Sequence, residues 1–247
     1  MAIKELKCKI TAESGMLSIW TATHGHTGRE VRGNAGYALA AEWAKLETRA
    51  ELLNHPACEE FRRLVSSAPR LSDTALVFFR GRSVTSEPPR VDQMGPPPLG
   101  CDPSGGRYNR PGERVLYLSD SEEGLLREFS AWHIEGAPYV QRYRLPLDRL
   151  RIADFTIIPN DHFVAAVFSK AEECNVDGRG PNSYIFSQLV AELVMAHFDG
   201  MRMPGVRGKR GSWYSNVVVF QPYPNWRDWL EQETTPYRLS VPSHGGA

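Results

Sequence analysis

In "GGRYNRPGERVLYLSDSEEGLLRE", residues 105–128, an arginine stands on a pair of glycines, a tyrosine lies in an apolar run and a glutamate follows in a charged one. A second arginine, Arg80, ends the apolar stretch of "TALVFFRGR" at 74–82. A guanidinium fork bonds two phosphate oxygens at once and glycine lets backbone amides come close, so Arg80 and Arg107 suit a pyrophosphate. Tyr117 can offer its ring face to a flat aromatic ligand. Glu128 can hold a ribose hydroxyl and steady positive charge developing at a sugar carbon, the charge that builds up when a glycosidic bond breaks. Taken singly, each has a plainer reading: a surface salt bridge for Arg80, a tight turn for Gly105 and Gly106, a solvated helix position for Glu128. Taken together they match a substrate that combines a pyrophosphate, a ribose and a cationic leaving base, which is NAD+.

These side chains need strands and a helix to hold them. "TALVFFRGR" and "RVLYLS" read as strands, separated by a loop that carries Pro88, Pro89, Pro96, Pro97, Pro98 and Pro103. Asp120 with Glu123 three residues later predicts a capping box opening a helix that runs to about His133, with Glu128 two turns in. "YVQRYRLP" and "LRIADF" predict further strands. "DHFVAAVFSKAEE" and "SYIFSQLVAELVMAHF" have helical periodicity, the second stopped by Asp199 and Gly200. A short segment "MRMPGV", a basic loop "RGKRGSWYS" and a strand "NVVVF" follow, then a tail with Trp226 and Trp229 in a short helix. Ahead of all this, "AGYALAAEWAKLETRAELL" and "PACEEFRRLVSS" predict a helical N-terminal region. The expected organisation is residues 1–70 as that region, 71–222 as the catalytic domain and 223–247 as a tail.

Composition narrows the alternatives. The 29 basic and 29 acidic residues balance, which removes the field of a general nucleic-acid or membrane-surface binder. Cys8, Cys58, Cys101 and Cys174 form no C-x-x-C pair and read as reduced, structural thiols. His24 and His26 lack further ligands at metal spacing, and His133, His162 and His197 fall on helical patterns, so no metal is expected. The "RGKRG" run at 207–211 reads as a solvated loop, and neither a G-x-S-x-G motif nor a P-loop is present. With no apolar run of membrane-spanning length and a charged start, "MAIKELKCKI", the default location is cytoplasmic, with delivery into a target cell left open.

The order "LVFFRGR", "GGRYN-x-PG-x-x-VLYLS", Glu128, "SYIFSQLVAEL", "FDGMRMP" and "NVVVF" resembles the RES-domain family over roughly residues 74–221. The resemblance implies an α+β, ADP-ribosyltransferase-like fold, here with a helical N-terminal extension. It also implies a toxin of a toxin–antitoxin pair that degrades NAD+ by hydrolysis or phosphorolysis. NAD+ is then substrate, no separate cofactor is needed, and an antitoxin or immunity protein is the implied partner; a homo-oligomer is open. Carried over residue by residue, the resemblance assigns Arg80 and Arg107 to the NAD+ phosphates and ribose, Tyr117 to the nicotinamide ring and Glu128 to the nicotinamide ribose. Asn109 orients the turn or the ribose, and Arg82 and Gly106 join the substrate-binding set. Tyr184 and Gln188 match the long-helix pattern, with a core or structural role equally open.

The chain departs from the family at one of its naming residues: where a serine usually follows the short segment, "DGMRMPGVRG" places Gly205. Three readings follow. Ser212 or Ser215 supplies a hydroxyl, the Gly205 amide takes its place, or catalysis is weaker or redirected. Two rival functions are therefore carried beside NAD+ cleavage: ADP-ribosyl transfer to a protein or nucleic acid, and a catalytically reduced binding module.

Overall fold

In "SNVVVF" three consecutive valines, Val217, Val218 and Val219, are all buried, as a strand covered on both faces requires. They belong to the centre of a seven-stranded sheet. The computed structural model describes residues 35–85, 87–98, 100, 105–131, 136–160, 162–173, 184–205, 214–222, 224–231 and 235–239. The chain forms two compact units, one of residues 1–64 with 158–186, the other of 65–157 with 187–247.

The described part of the first unit is helical: α1 (Ala35–Trp43), α2 (Arg49–Asn54), α3 (Pro56–Val65, to its penultimate residue) and α5 (Phe163–Glu173). Thr48 starts α2 with a complete capping box, its Oγ1 accepting from the Glu51 amide at 3.2 Å while Glu51 Oε2 accepts from the Thr48 amide at 3.1 Å. This is why the apolar periodicity of 35–53 resolves into two helices. Trp43 is fully buried, donates from Nε1 to the Leu52 carbonyl at 2.8 Å, and meets Phe186 edge-on.

The second unit holds the sheet: β1 (Phe78–Val84), β2 (Val115–Ser119), β3 (Ala137–Tyr143), β4 (Ile152–Asp154), β5 (Gly200–Pro204), β6 (Ser215–Phe220) and β7 (Tyr237–Arg238), in the order β4-β5-β6-β2-β1-β3-β7. Every pairing is antiparallel except β4 with β5, so the fold is α+β with a mixed sheet. Leu116, Leu118, Val217, Val219, Phe78 and Tyr143 share one core with Trp226 and Trp229, both on the 3-10 turn Asn225–Trp229. Burying each such side chain stabilises the fold by roughly 1.5–3 kcal/mol. The opposite face takes α4 (Glu122–Ala131), whose Leu125, Leu126 and Phe129 pack with Phe79 and Val140.

Two local expectations are corrected. The cap of α4 is Ser121, whose Oγ accepts from the Gly124 amide at 3.0 Å, because the Asp120 carboxylate is turned instead toward the Ser215 amide at 2.8 Å. Gly200 does not stop the preceding helix, α6 (Ile185–Met195), but opens β5, where an added Cβ would meet the Val218 carbonyl oxygen at 2.6 Å. "MRMP" accordingly contributes an interior strand, between β4 and β6.

Candidate active site

β1 and β2 pair at a single position, Phe79 with Ser119; beyond it β1 continues only along β3, and β2 only along β6. The sheet therefore splits, and the next residue of β1 beyond the last shared pair is Arg80. Its Nη1 donates to the Tyr117 main-chain carbonyl at 3.2 Å, so the guanidinium spans the opening. Its Nε is shut off from solvent without an acceptor, and among the described residues no carboxylate pairs with it. Burial pulls its pKa below the ordinary arginine value, with the Tyr143 hydroxyl acting in the opposite sense. An arginine so placed stays protonated and is a half-buried cation without a carboxylate partner among the described residues.

The turn "GGRYN" sits before β2 and is built by its own polar atoms. Gly105 has φ +86°, the left-handed region open to glycine. The Gly106 amide donates to the Asn109 carbonyl at 2.9 Å, and a Cβ on Gly106 would come within 2.8 Å of Asn109 Oδ1 and 3.2 Å of the Tyr117 hydroxyl. That hydroxyl donates to Asn109 Oδ1 at 2.9 Å and accepts from the Tyr108 amide at 3.0 Å, which fixes the ring of Tyr117 to the turn. Asn109, 5% exposed, gives its remaining donor to the carbonyls of Arg110 and Glu113. From α6, Gln188 Nε2 donates to the carbonyls of Gly106 and Asn109 at 2.9 and 3.0 Å, and Ser187 Oγ to that of Arg107 at 2.6 Å. Arg110 and Glu192 form an ion pair over the same stretch. Arg107 is half-buried with its backbone anchored in this way, whereas Arg82 is exposed and donates to the Gln93 carbonyl at 2.5 Å.

Glu128 projects from α4 toward β6. Its Oε1 accepts from the Tyr214 hydroxyl at 2.8 Å and from Asn216 Nδ2 at 3.0 Å. Asn216 lies opposite Ser119, and Val218 opposite Tyr117. The carboxylate is thus held on the Tyr117 face of the sheet, about one two-residue step, roughly 7 Å, along the strands. The structure thus joins Tyr117, Asn109 and Gly106 in one turn, ties Arg80 to the Tyr117 main chain across the split, and holds Glu128 one step along the strands on the Tyr117 face.

Ser215 and Gly205 are placed differently from a pair offering a spare hydroxyl or amide. Ser215 is 3% exposed; its Oγ donates to Asp120 Oδ2 at 2.5 Å and accepts from Arg202 Nε at 2.7 Å. Arg202 also bonds Asp120 Oδ2 at 3.1 Å and Asp154 Oδ2 at 3.4 Å, a charge network that ties β5 to β6, β4 and the start of α4. The Gly205 amide donates to the Tyr214 carbonyl at 2.7 Å, and a Cβ at 205 would overlap the Tyr214 ring. Both candidate groups are occupied by these partners. Ser212 lies outside the described residues, as do His24, His26 and His133.

Sequence reasoning missed Tyr214, Asn216, Arg202 and the grip of Gln188 on the turn. Asn216 carried a usable signal, a polar residue two positions before Val218 in a run of buried valines. Tyr214, beside Trp213, read only as a possible stacking surface, because its partner lies 86 residues away. The RES domain family model matches residues 86–239. The chain belongs to the RES-domain family. Membership supports an NAD-related function of toxin type, and the matched segment contains Arg107, Tyr117 and Glu128, while Arg80 and Arg82 precede it. No curated protein and no solved structure matches the chain. Among the described residues of this RES-domain protein, no helix is long and apolar enough to cross a membrane.

Proposed function

We propose that the protein cleaves the bond between nicotinamide and ribose in NAD+, as a glycohydrolase or a phosphorylase. The observation that carries this reading is the half-buried guanidinium of Arg80 at the opening of the split sheet, its Nε shut off from solvent and without a carboxylate partner among the described residues, together with the Glu128 carboxylate held by two donors on the Tyr117 face. A partly desolvated cation with no carboxylate partner among the described residues is matched by a ligand that brings phosphate oxygens. Arg80 and Arg107 take the pyrophosphate, the ring of Tyr117 lies against nicotinamide, and Glu128 faces the nicotinamide ribose. As the bond from C1′ to the ring nitrogen breaks, its electron pair leaves with nicotinamide, which becomes neutral. The positive charge on the ribose is stabilised by the Glu128 carboxylate. An oxygen of water or inorganic phosphate then bonds to C1′, water losing a proton to solvent, to give ADP-ribose or its 1″-phosphate.

The test is incubation of the full chain with NAD+, with and without phosphate, with nicotinamide and both ribosyl products quantified. Release by the wild type and its loss in Glu128→Gln support the reading. Retained release in Glu128→Gln, or none from the wild type under either condition, overturns it. ADP-ribose found covalently on a protein or nucleic acid instead would identify a transferase.

A further inference from the structure

We propose that Tyr214 is a positioning residue for Glu128, seated by two glycines that leave room for its ring; this rests on the NAD+-cleavage reading above. Tyr214 is 6% exposed and stands immediately before β6. Its side chain and that of Asn216 lie two residues apart and so leave the chain on the same side, toward α4, where both hydroxyl and amide reach Oε1 of Glu128. The ring could not lie where it does beside larger residues. A Cβ on Gly124, in the first turn of α4, would come within 2.5 Å of Tyr214 Cδ2, and one on Gly205, just past β5, would overlap the same edge of the ring. Neither glycine has a backbone conformation that itself calls for glycine, since both are absent from the positive-φ residues. What they supply is space.

That space is specific in its consequence. Filling the recess needs only a six-membered ring, which phenylalanine would provide; the hydroxyl adds a donor aimed at one carboxylate oxygen. With Asn216 it sets the rotation of the Glu128 carboxylate from the β6 side, while α4 sets its position. Two donors on Oε1 hold the group in one orientation before the reaction begins, so the carboxylate need not reorient when charge appears at C1′. Tyr214 contacts Glu128 and acts on the reaction through it.

The experiment compares wild type, Tyr214→Phe, Gly205→Ala and the double variant in nicotinamide release from NAD+, with thermal unfolding measured on each. Tyr214→Phe keeps the ring and is expected to lower kcat by roughly 10- to 100-fold, the equivalent of one hydrogen bond to a charged group, with KM for NAD+ unchanged. Gly205→Ala displaces the ring and is expected to lower kcat likewise, yet to add nothing in the Tyr214→Phe background, because both act through the same hydroxyl. Wild-type kcat in Tyr214→Phe, a rise in KM at constant kcat, or additive losses in the double variant would each overturn this role while leaving NAD+ cleavage standing. Absence of nicotinamide release from the wild type would overturn the cleavage reading and the role of Tyr214 with it.

Discussion

Replacing Arg80 with methionine separates a structural arginine from one kept for a ligand. The variant loses the bond from Nη1 to the Tyr117 carbonyl, 3.2 Å long, worth roughly 1.5–3 kcal/mol for a charged donor. It also removes a buried Nε that has no acceptor, which recovers roughly 1–3 kcal/mol, and methionine refills the space of the apolar stem. The two effects nearly cancel, leaving stability within about 1 kcal/mol of wild type, a Tm change inside roughly 2–4 °C for a chain of this size. NAD+ affinity should respond very differently. Losing the charged partner of a desolvated phosphate contact costs roughly 2–5 kcal/mol, or about 30- to 5000-fold in Kd. Thermal unfolding with and without NAD+, and calorimetric titration, read both numbers on the same samples. A Tm fall of about 10 °C or more with NAD+ binding intact would refute the reasoning and make Arg80 a structural strut.

Arg202→Met leaves Asp120 and Asp154, whose side chains are 18% and 7% exposed, without their shared cation. Unfolding in urea should show a loss of roughly 3–5 kcal/mol, and a loss below about 1 kcal/mol would show that the network is incidental. Alkaline stability is set partly by Tyr143, whose pKa burial raises well above the ordinary 10.0, against the pull of Arg80. The folded chain then holds this proton more tightly than the unfolded one, so its contribution is complete below pH 10 and is lost as pH rises toward the folded value. Unfolding midpoints measured from pH 8 to 11 should fall at the top of the range, and less steeply in Tyr143→Phe, which gives up the bond to the Met94 carbonyl for about 1 kcal/mol at neutral pH.

How much was legible in the chain varies with the range of the interaction. The strands "RVLYLS" and "NVVVF", the helices over 163–173 and 185–195 and the turn before β2 follow from periodicity and glycine placement, which are local properties. "MRMPGV" was harder: a five-residue strand with proline at its end has little periodicity of its own, and it is a strand because β4 and β6 flank it. The cap of α4 moved from Asp120 to Ser121 for a comparable reason. A residue with capping chemistry was drawn away by partners on β5 and β6, which a local pattern cannot register.

The sequence by itself determined the α+β class, the residue types capable of gripping a pyrophosphate and a ribose, and the family to which the chain belongs. Tertiary structure alone decided what those residues have as neighbours. The single shared pair of β1 and β2 opens the sheet beside Arg80 and leaves its charge without a carboxylate among the described residues. Pairing of β6 with β2 and β5 commits Ser215 to Asp120 and Arg202 and brings Tyr214 to Glu128. The physical reason is range: backbone propensity and alternation act over a few residues, whereas the solvation and hydrogen bonding of a charged side chain depend on whichever strands and helices fold against it.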